Sequence, residues 1–199
     1  MSVRNLDSLF EPASVAVIGA SSRPSSVGAT VWHNLAHGGF AGALYPVNPK
    51  YDALDGHTAY ARIADLPETP ELAVICTPAA SVPALVQALA ERGTRAAIIL
   101  SAGLDAAQKA AMQAAARPHL MRLLGPNCIG LLSSPAKLNA SFAHIHAREG
   151  KLAFVSQSGA LVTAVLDWAD AQAIGFSHIV SLGEHMDVDF GDMLDYLAT

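Results

Sequence analysis

Short apolar runs, four or five residues long, alternate over the first 125 positions with stretches whose apolar residues recur every third or fourth place. The runs at 15–18, 43–47, 72–76, 96–100 and 120–123 have the length and the Val, Ile, Leu and Ala content of strands buried on both faces of a parallel sheet. Between them, 27–37, 82–92 and 106–117 have helical periodicity. This alternation predicts a doubly wound α/β domain, with a parallel sheet of the Rossmann type, over residues 1–125. Pro46, Pro49, Gly56, Pro67 and Pro70 break up the region after residue 43, where a short helix at most is expected.

At Gly125-Pro126-Asn127 the pattern pauses, and residues 126–150 read as a loop-rich connecting segment. A second unit, 151–199, opens with a strand at 151–155, a turn at Ser156-Gln-Ser-Gly159 and a helix at 160–171 with Leu161, Val165 and Trp168 on one face. A strand at 176–181, an acidic loop at 183–189 and a helix at 191–197 follow. Two strands are too few for a sheet with its own core, since sheets usually have about four to six. The second unit therefore reads as truncated.

Composition narrows the class. The chain has 199 residues, is 52% hydrophobic and carries a net charge of −5. Its longest apolar runs fall far short of the roughly 20 residues of a membrane helix, and no signal peptide is visible before Asp7, Glu11 and Pro12. A soluble cytoplasmic protein without a nucleic-acid or membrane partner is expected. All 12 Lys and Arg lie in residues 1–151 against 10 acidic residues, whereas 152–199 hold seven acidic residues and no base. The first unit can therefore hold an anion, and the second is acidic. Cys76 and Cys128 lack the spacing of a zinc site or a disulfide framework. His144 and His146 alternate as on a strand but have no convincing third ligand, so no metal site is assigned. His33 and His37 share an exposed helix face.

Candidate chemistry concentrates after the first strand. Ser14-Val-Ala-Val-Ile-Gly-Ala-Ser-Ser-Arg-Pro-Ser-Ser-Val-Gly28 joins a buried strand to a helix start through small residues. Gly19 ends the strand, Ser25 and Ser26 can cap the helix, and the loop with Ser21 and Ser22 lets backbone N–H groups approach a phosphate. The loop lacks GxGxxG, and the second strand ends Tyr45-Pro-Val-Asn-Pro-Lys50 where an NAD site has an acidic residue for the ribose. Lys50 suits a ribose phosphate, which NADP and coenzyme A both carry. Cys76-Thr-Pro-Ala-Ala80 and Leu100-Ser-Ala-Gly103 end their strands in small or hydroxyl residues. Thr77, Pro78, Ser101, Ala102 and Gly103 could line a slot for an extended pantetheine chain, or serve only as turns. At the second turn, Ser158 can cap a helix whose first N–H groups, after Ser156 and Gly159, would face an anion.

With these residues assembled, the chain resembles the N-terminal region of the NDP-forming acyl-CoA synthetase superfamily, which includes the succinyl-CoA synthetase α subunit. The resemblance rests on Leu9-Phe-Glu-Pro-Ala-Ser-Val-Ala-Val-Ile-Gly-Ala-Ser21, Pro46-Val-Asn-Pro-Lys50, Leu124-Gly-Pro-Asn-Cys128 and Val155-Ser-Gln-Ser-Gly159. Leu138-Asn-Ala-Ser-Phe142 and Gly150-Lys-Leu-Ala-Phe154 resemble more closely the bacterial protein lysine acetyltransferases that fuse this region to a GNAT domain. The resemblance implies a CoA-binding domain followed by the start of a flavodoxin-like domain. It places the CoA diphosphate at Ser21, Ser22, Ser25 and Ser26, and the adenosine phosphate at Lys50. Pantetheine lies at Thr77-Pro78 and Ser101-Ala102-Gly103, the thiol near Asn127 and Cys128, and the phosphate of a phosphohistidine at Ser156, Ser158 and Gly159. That histidine, and the nucleotide-grasp domain that brings ATP or ADP with Mg²⁺, lie outside these residues, so no catalytic residue is assigned here and Cys128 is read as lining.

Three parents are therefore expected in order: an acetyltransferase with a ligase-like sensory region binding CoA or acetyl-CoA, an ADP-forming acyl-CoA ligase, and an NADP-dependent oxidoreductase. The implied partners are a CoA thioester and further domains or a partner subunit, and the sequence is compatible with an oligomer. For the acidic segment 184–195, a solvated helix start is expected over a Mg²⁺ or partner contact.

Overall fold

A computed structural model describes residues 3–198. The helical turn α1 (Asp7–Phe10) leads into β1 (Ser14–Ile18), α2 (Val27–His37) and β2 (Ala43–Val47). A small hairpin follows, β3 (Ala53–Leu54) and β4 (His57–Thr58), then a 3₁₀ turn at Ile63–Asp65. The unit closes with β5 (Leu72–Ile75), α3 (Val82–Arg92), β6 (Ala96–Ile99), α4 (Ala106–Ala116) and β7 (Arg122–Leu124). The sheet order is β2-β1-β5-β6-β7 with every pair parallel. The order reverses between β1 and β5, so a crevice opens at their C-terminal ends.

The central strands are buried along their whole length because both faces carry apolar layers. Val15, Val17, Val74 and Ile98 point into one layer with Trp32 and Leu35 of α2, whereas Ala16, Ile75 and Ile99 point into the other with Val86 and Leu89 of α3. Local chemistry fixes the helix ends. Gly93 takes a left-handed conformation after α3 and returns its N–H to the carbonyls of Leu89 and Ala90. Asp105 and Gln108 form a capping box before α4.

Residues 126–150 are not a loop-rich connector. They carry β8 (Gly130–Ser133) and β9 (Leu138–Ser141), which join β10 (Glu149–Ser156) and β11 (Phe176–Ser181) in a second sheet of order β10-β11-β8-β9. The expected two-strand sheet is thus four-stranded: β10 runs parallel to β11, and β8 pairs antiparallel with both β11 and β9. Leu131, Leu138 and Ala140 enter the layer that also holds Val15 and Trp32, so the two sheets share a core. Asn34 of α2 reinforces the junction by donating to the carbonyls of Ser141 and Ala143, both at 2.9 Å.

The helices of the second unit are α5 (Gly159–Ala171) and α6 (Phe190–Leu197). On α5 the buried face is Val162, Leu166 and Ala169, while Leu161 and Trp168 are 50% and 59% exposed. The expected face was displaced because apolar residues occupy more than half of this helix, and periodicity does not choose among them. His144 and His146 lie outside the strands, the first against Asp167 at 2.7 Å and the second against Asn139 at 3.1 Å.

The acidic loop is an internal clamp, not a solvated helix start. Asp187 accepts from Leu123 N–H at 2.8 Å and from Arg122 Nε at 3.1 Å, and Asp192 accepts from Arg122 Nη2 at 2.6 Å. Glu184 pairs with Lys109. Asp189 caps α6 as expected of an acidic residue at a helix start. Among the described residues no helix is long and apolar enough to cross a membrane.

Candidate functional site

The first loop is shaped by a backbone contact. Gly19 ends β1 with φ of +92°, and a Cβ added at Gly28 in α2 would sit 2.0 Å from the Gly19 carbonyl oxygen. At this point strand and helix approach too closely for any side chain, and residues 20–26 connect them. Ser26 is the cap: its Oγ accepts from Ala29 N–H at 3.3 Å and donates to the Arg23 carbonyl at 2.8 Å. Ser25 shares no capping role, since it adopts the left-handed conformation with φ of +61° that turns the loop into the helix. Ser21 Oγ accepts from Arg23 N–H at 2.9 Å and lies 3.1 Å from the Tyr51 hydroxyl, and Ser22 is exposed. Hydrogen bonds from Ser21 and Ser22 draw the Tyr51 phenol below its ordinary range.

Asn48 stands where the ribose-binding acid of an NAD site was sought. Its amide donates to the Ala20 carbonyl at 2.8 Å and its oxygen accepts from Lys50 N–H at 3.0 Å. It ties the loop after β1 to the end of β2 and fixes the backbone from which the exposed Lys50 projects. Beside it a cavity of about 440 Å³ opens at the reversal point, lined by Ile18, Val47, Pro49, Ile63, Leu85 and Arg62 among others. Its apolar walls suit a flat base, and the cation in its lining, Arg62, is held by the Asp65 carboxylate at 2.9 and 3.1 Å. Sequence reading missed it because Arg62 and Ile63 belong to the segment broken by prolines.

A larger cleft of about 760 Å³ joins the two units. Thr77, Pro78, Ser101, Ala102, Asn127 and Cys128 line it from the strand ends of the first sheet, and Ser158 and Gly159 from the start of α5. Ser101 Oγ donates to the Thr77 carbonyl at 2.5 Å, and Asn127 N–H donates to the Ser101 carbonyl at 3.0 Å, so three strand-end loops are bonded together. Ser158 caps α5 by accepting from Leu161 N–H at 3.2 Å. Ser156 is buried and braces the turn, accepting from Ser158 N–H at 3.1 Å. Gly103 lies outside the lining, with open space around it. Arg23, Val27, Ile129, Phe142 and Gln157 also face this cleft; residues 142 and 157 were legible only as parts of motifs.

Burial pushes the Cys76 and Cys128 thiols up from 9.0 to about 12, and in Cys76 the neighbouring Cys128 adds to the effect. A thiol with a raised folded-state pKa favours the folded chain below pH 9.0 and loses that contribution as pH rises toward 12. Neither thiol is activated as a nucleophile. At about pH 8, iodoacetamide should leave both intact in the folded chain while alkylating the urea-unfolded chain. Intact mass reads the outcome, and prompt labelling of folded Cys128 would reverse its assignment as lining.

Comparison with known proteins bears on this arrangement. The family model of the CoA binding domain matches residues 13–134, and that of the succinyl-CoA ligase like flavodoxin domain matches residues 149–199. The chain is 38% identical over 200 residues to acetate–CoA ligase [ADP-forming] I of Archaeoglobus fulgidus, covering 97% of this chain and 29% of that protein. It is 37% identical to the acetate–CoA ligase [ADP-forming] I subunit alpha of Pyrococcus furiosus, covering 96% of this chain and 44% of the subunit. The chain thus spans less than half the length of these relatives. In structure it superimposes on the dinucleotide-forming acetyl-coenzyme A synthetase 1 of Ca. Korarchaeum cryptofilum, solved with phosphate and ADP. The TM-score is 0.93 at 37% identity, over 96% of this chain and 42% of that one.

Proposed function

Because this chain belongs to the CoA-binding domain family, with a succinyl-CoA ligase-like flavodoxin segment after it, we propose that it is the CoA-binding part of an ADP-forming acyl-CoA ligase. The observation that carries this reading is the cleft of about 760 Å³, in which the strand-end loops at Thr77, Ser101 and Asn127 face the N-terminus of α5 at Ser158–Gly159. An extended thiol cofactor lying over the first sheet would end beside a helix start suited to a phosphate. In this reading the adenine enters the apolar cavity at Ile18 and Val47, Lys50 meets the 3′-phosphate, and the α2 N-terminus receives the diphosphate.

The chemistry would pass an acyl group between the CoA thiol and phosphate, with the phosphorylated histidine, ATP or ADP and Mg²⁺ supplied by domains or a subunit outside these residues. Cys128 is protonated and buried, so it borders the thiol without attacking. The ligase is preferred to the lysine acetyltransferase parent because the ligases of A. fulgidus and P. furiosus match nearly the whole chain. The nicotinamide reading is set aside because the family model matching residues 13–134 is that of a CoA binding domain.

Calorimetric titration with CoA, acetyl-CoA and NADP tests the proposal. CoA and acetyl-CoA should bind, and tighter binding of NADP would overturn it. Lys50→Ala should weaken CoA about tenfold while leaving dephospho-CoA nearly unchanged, because only CoA carries the 3′-phosphate. Equal losses for both ligands would remove Lys50 from the site.

A further inference from the structure

The large cleft has one wall for which CoA itself has no use. Cys128, Ile129 and Phe142 form it, and Gly159 and Ala160 of α5 stand in the same lining. The wall is close-packed against the helix: a Cβ added at Gly159 would lie 2.8 Å from Ile129 Cγ2. It is also braced from behind. Ile129 N–H donates to Ser181 Oγ at 3.2 Å, and Phe142 N–H donates to the Ile129 carbonyl at 3.0 Å. Phe142 is half-buried, packs against the core of each unit, and is the one aromatic side chain lining the cleft among the described residues. Arg23, the cation in this lining, belongs to the loop between β1 and α2.

Resting on the reading of this cleft as the meeting point of CoA thiol and phosphate, we propose that Ile129 and Phe142 form the acyl subsite, with Phe142 setting the largest group admitted. The acyl carbon attached to the thiol at Asn127–Cys128 must project away from the diphosphate loop, and this apolar wall is what it meets. The subsite takes a short acyl tail. A branched or aryl tail collides with the Phe142 ring, whose backbone is pinned to Ile129. Pockets of this kind discriminate by size at tens-fold per misfit group.

The test is the affinity of the 199-residue chain for CoA, acetyl-CoA, isobutyryl-CoA and phenylacetyl-CoA by calorimetry. Wild type should bind phenylacetyl-CoA at least about tenfold more weakly than acetyl-CoA, with isobutyryl-CoA between them. Phe142→Ala should bring the phenylacetyl to acetyl ratio to within about threefold, and Phe142→Leu, which keeps most of the core volume, should give an intermediate ratio. Because each ratio is taken within one protein, a general loss of affinity cancels. Equal wild-type affinities, or a ratio that neither variant moves, would overturn the acyl assignment while CoA binding left the cofactor reading standing. Failure of CoA itself to bind would overturn both.

Discussion

Gly28→Ala should abolish measurable CoA binding, lowering affinity by about a hundredfold or more, and destabilise the chain by about 2–3 kcal/mol. The added methyl would lie 2.0 Å from the Gly19 carbonyl oxygen and 3.0 Å from its carbon, both backbone atoms that cannot rotate away. Relief requires α2 to move off β1. That shift opens the layer around Val17, Val31 and Trp32 and carries with it the Ser26 cap and the N–H groups after it. The same strand–helix contact thus sets both packing and the position of the helix start proposed to receive the diphosphate, so stability and affinity should fall together. Urea unfolding and calorimetry on one preparation measure the two losses. A folded Gly28→Ala chain that binds CoA as wild type does would show that the helix start does not hold the diphosphate.

Much of this arrangement was legible in the sequence because its determinants are local. The limits of α2, α3, β2 and β11 follow from apolar period and from flanking Ser, Gly and Pro, and each falls where the pattern places it. Ser26 and Ser158 were readable as caps for the same reason. What escaped depends on partners far along the chain. β8 and β9 are four residues each and contain Gly130, Ser133, Asn139 and Ser141, so their strand character comes from pairing with β11 and from packing against α2. The apolar cavity beside Asn48 is assembled from β1, β2, α3 and the turn at Ile63–Asp65, and no single stretch announces it. Leu161 and Trp168 show a limit of another kind: a helix with apolar residues on most sides does not reveal in its own pattern which of them face its sheet.

The clamp between Arg122 and the acidic loop is the long-range feature with the greatest expected effect on stability. Arg122 ends 11% exposed at the first residue of β7, with Asp187 65 residues away and Asp192 70 residues away. Around it the loop continues the pairing of β7: Val188 N–H donates to the Leu123 carbonyl at 3.2 Å and Met186 N–H to the Gly125 carbonyl at 3.2 Å. Arg122→Met preserves length and apolar volume but takes the guanidinium away from the Asp192 carboxylate, 5% exposed, which keeps the Asp189 N–H at 3.4 Å. Removing the cation from a buried ion pair costs about 3–5 kcal/mol, which in a chain of this size lowers Tm by about 10 °C. The loss comes from keeping the acid buried more than from the missing attraction, so Asp187→Asn and Asp192→Asn added to Arg122→Met should restore a large part of it. Since the clamp fixes the second unit against the last strand of the first, the single variant should also loosen the cleft that both units line. Its CoA affinity should fall where that of the triple variant recovers. A loss of less than about 1 kcal/mol in Arg122→Met would mean that Asp192 finds solvent or another donor, and that the shared apolar core alone holds the units together.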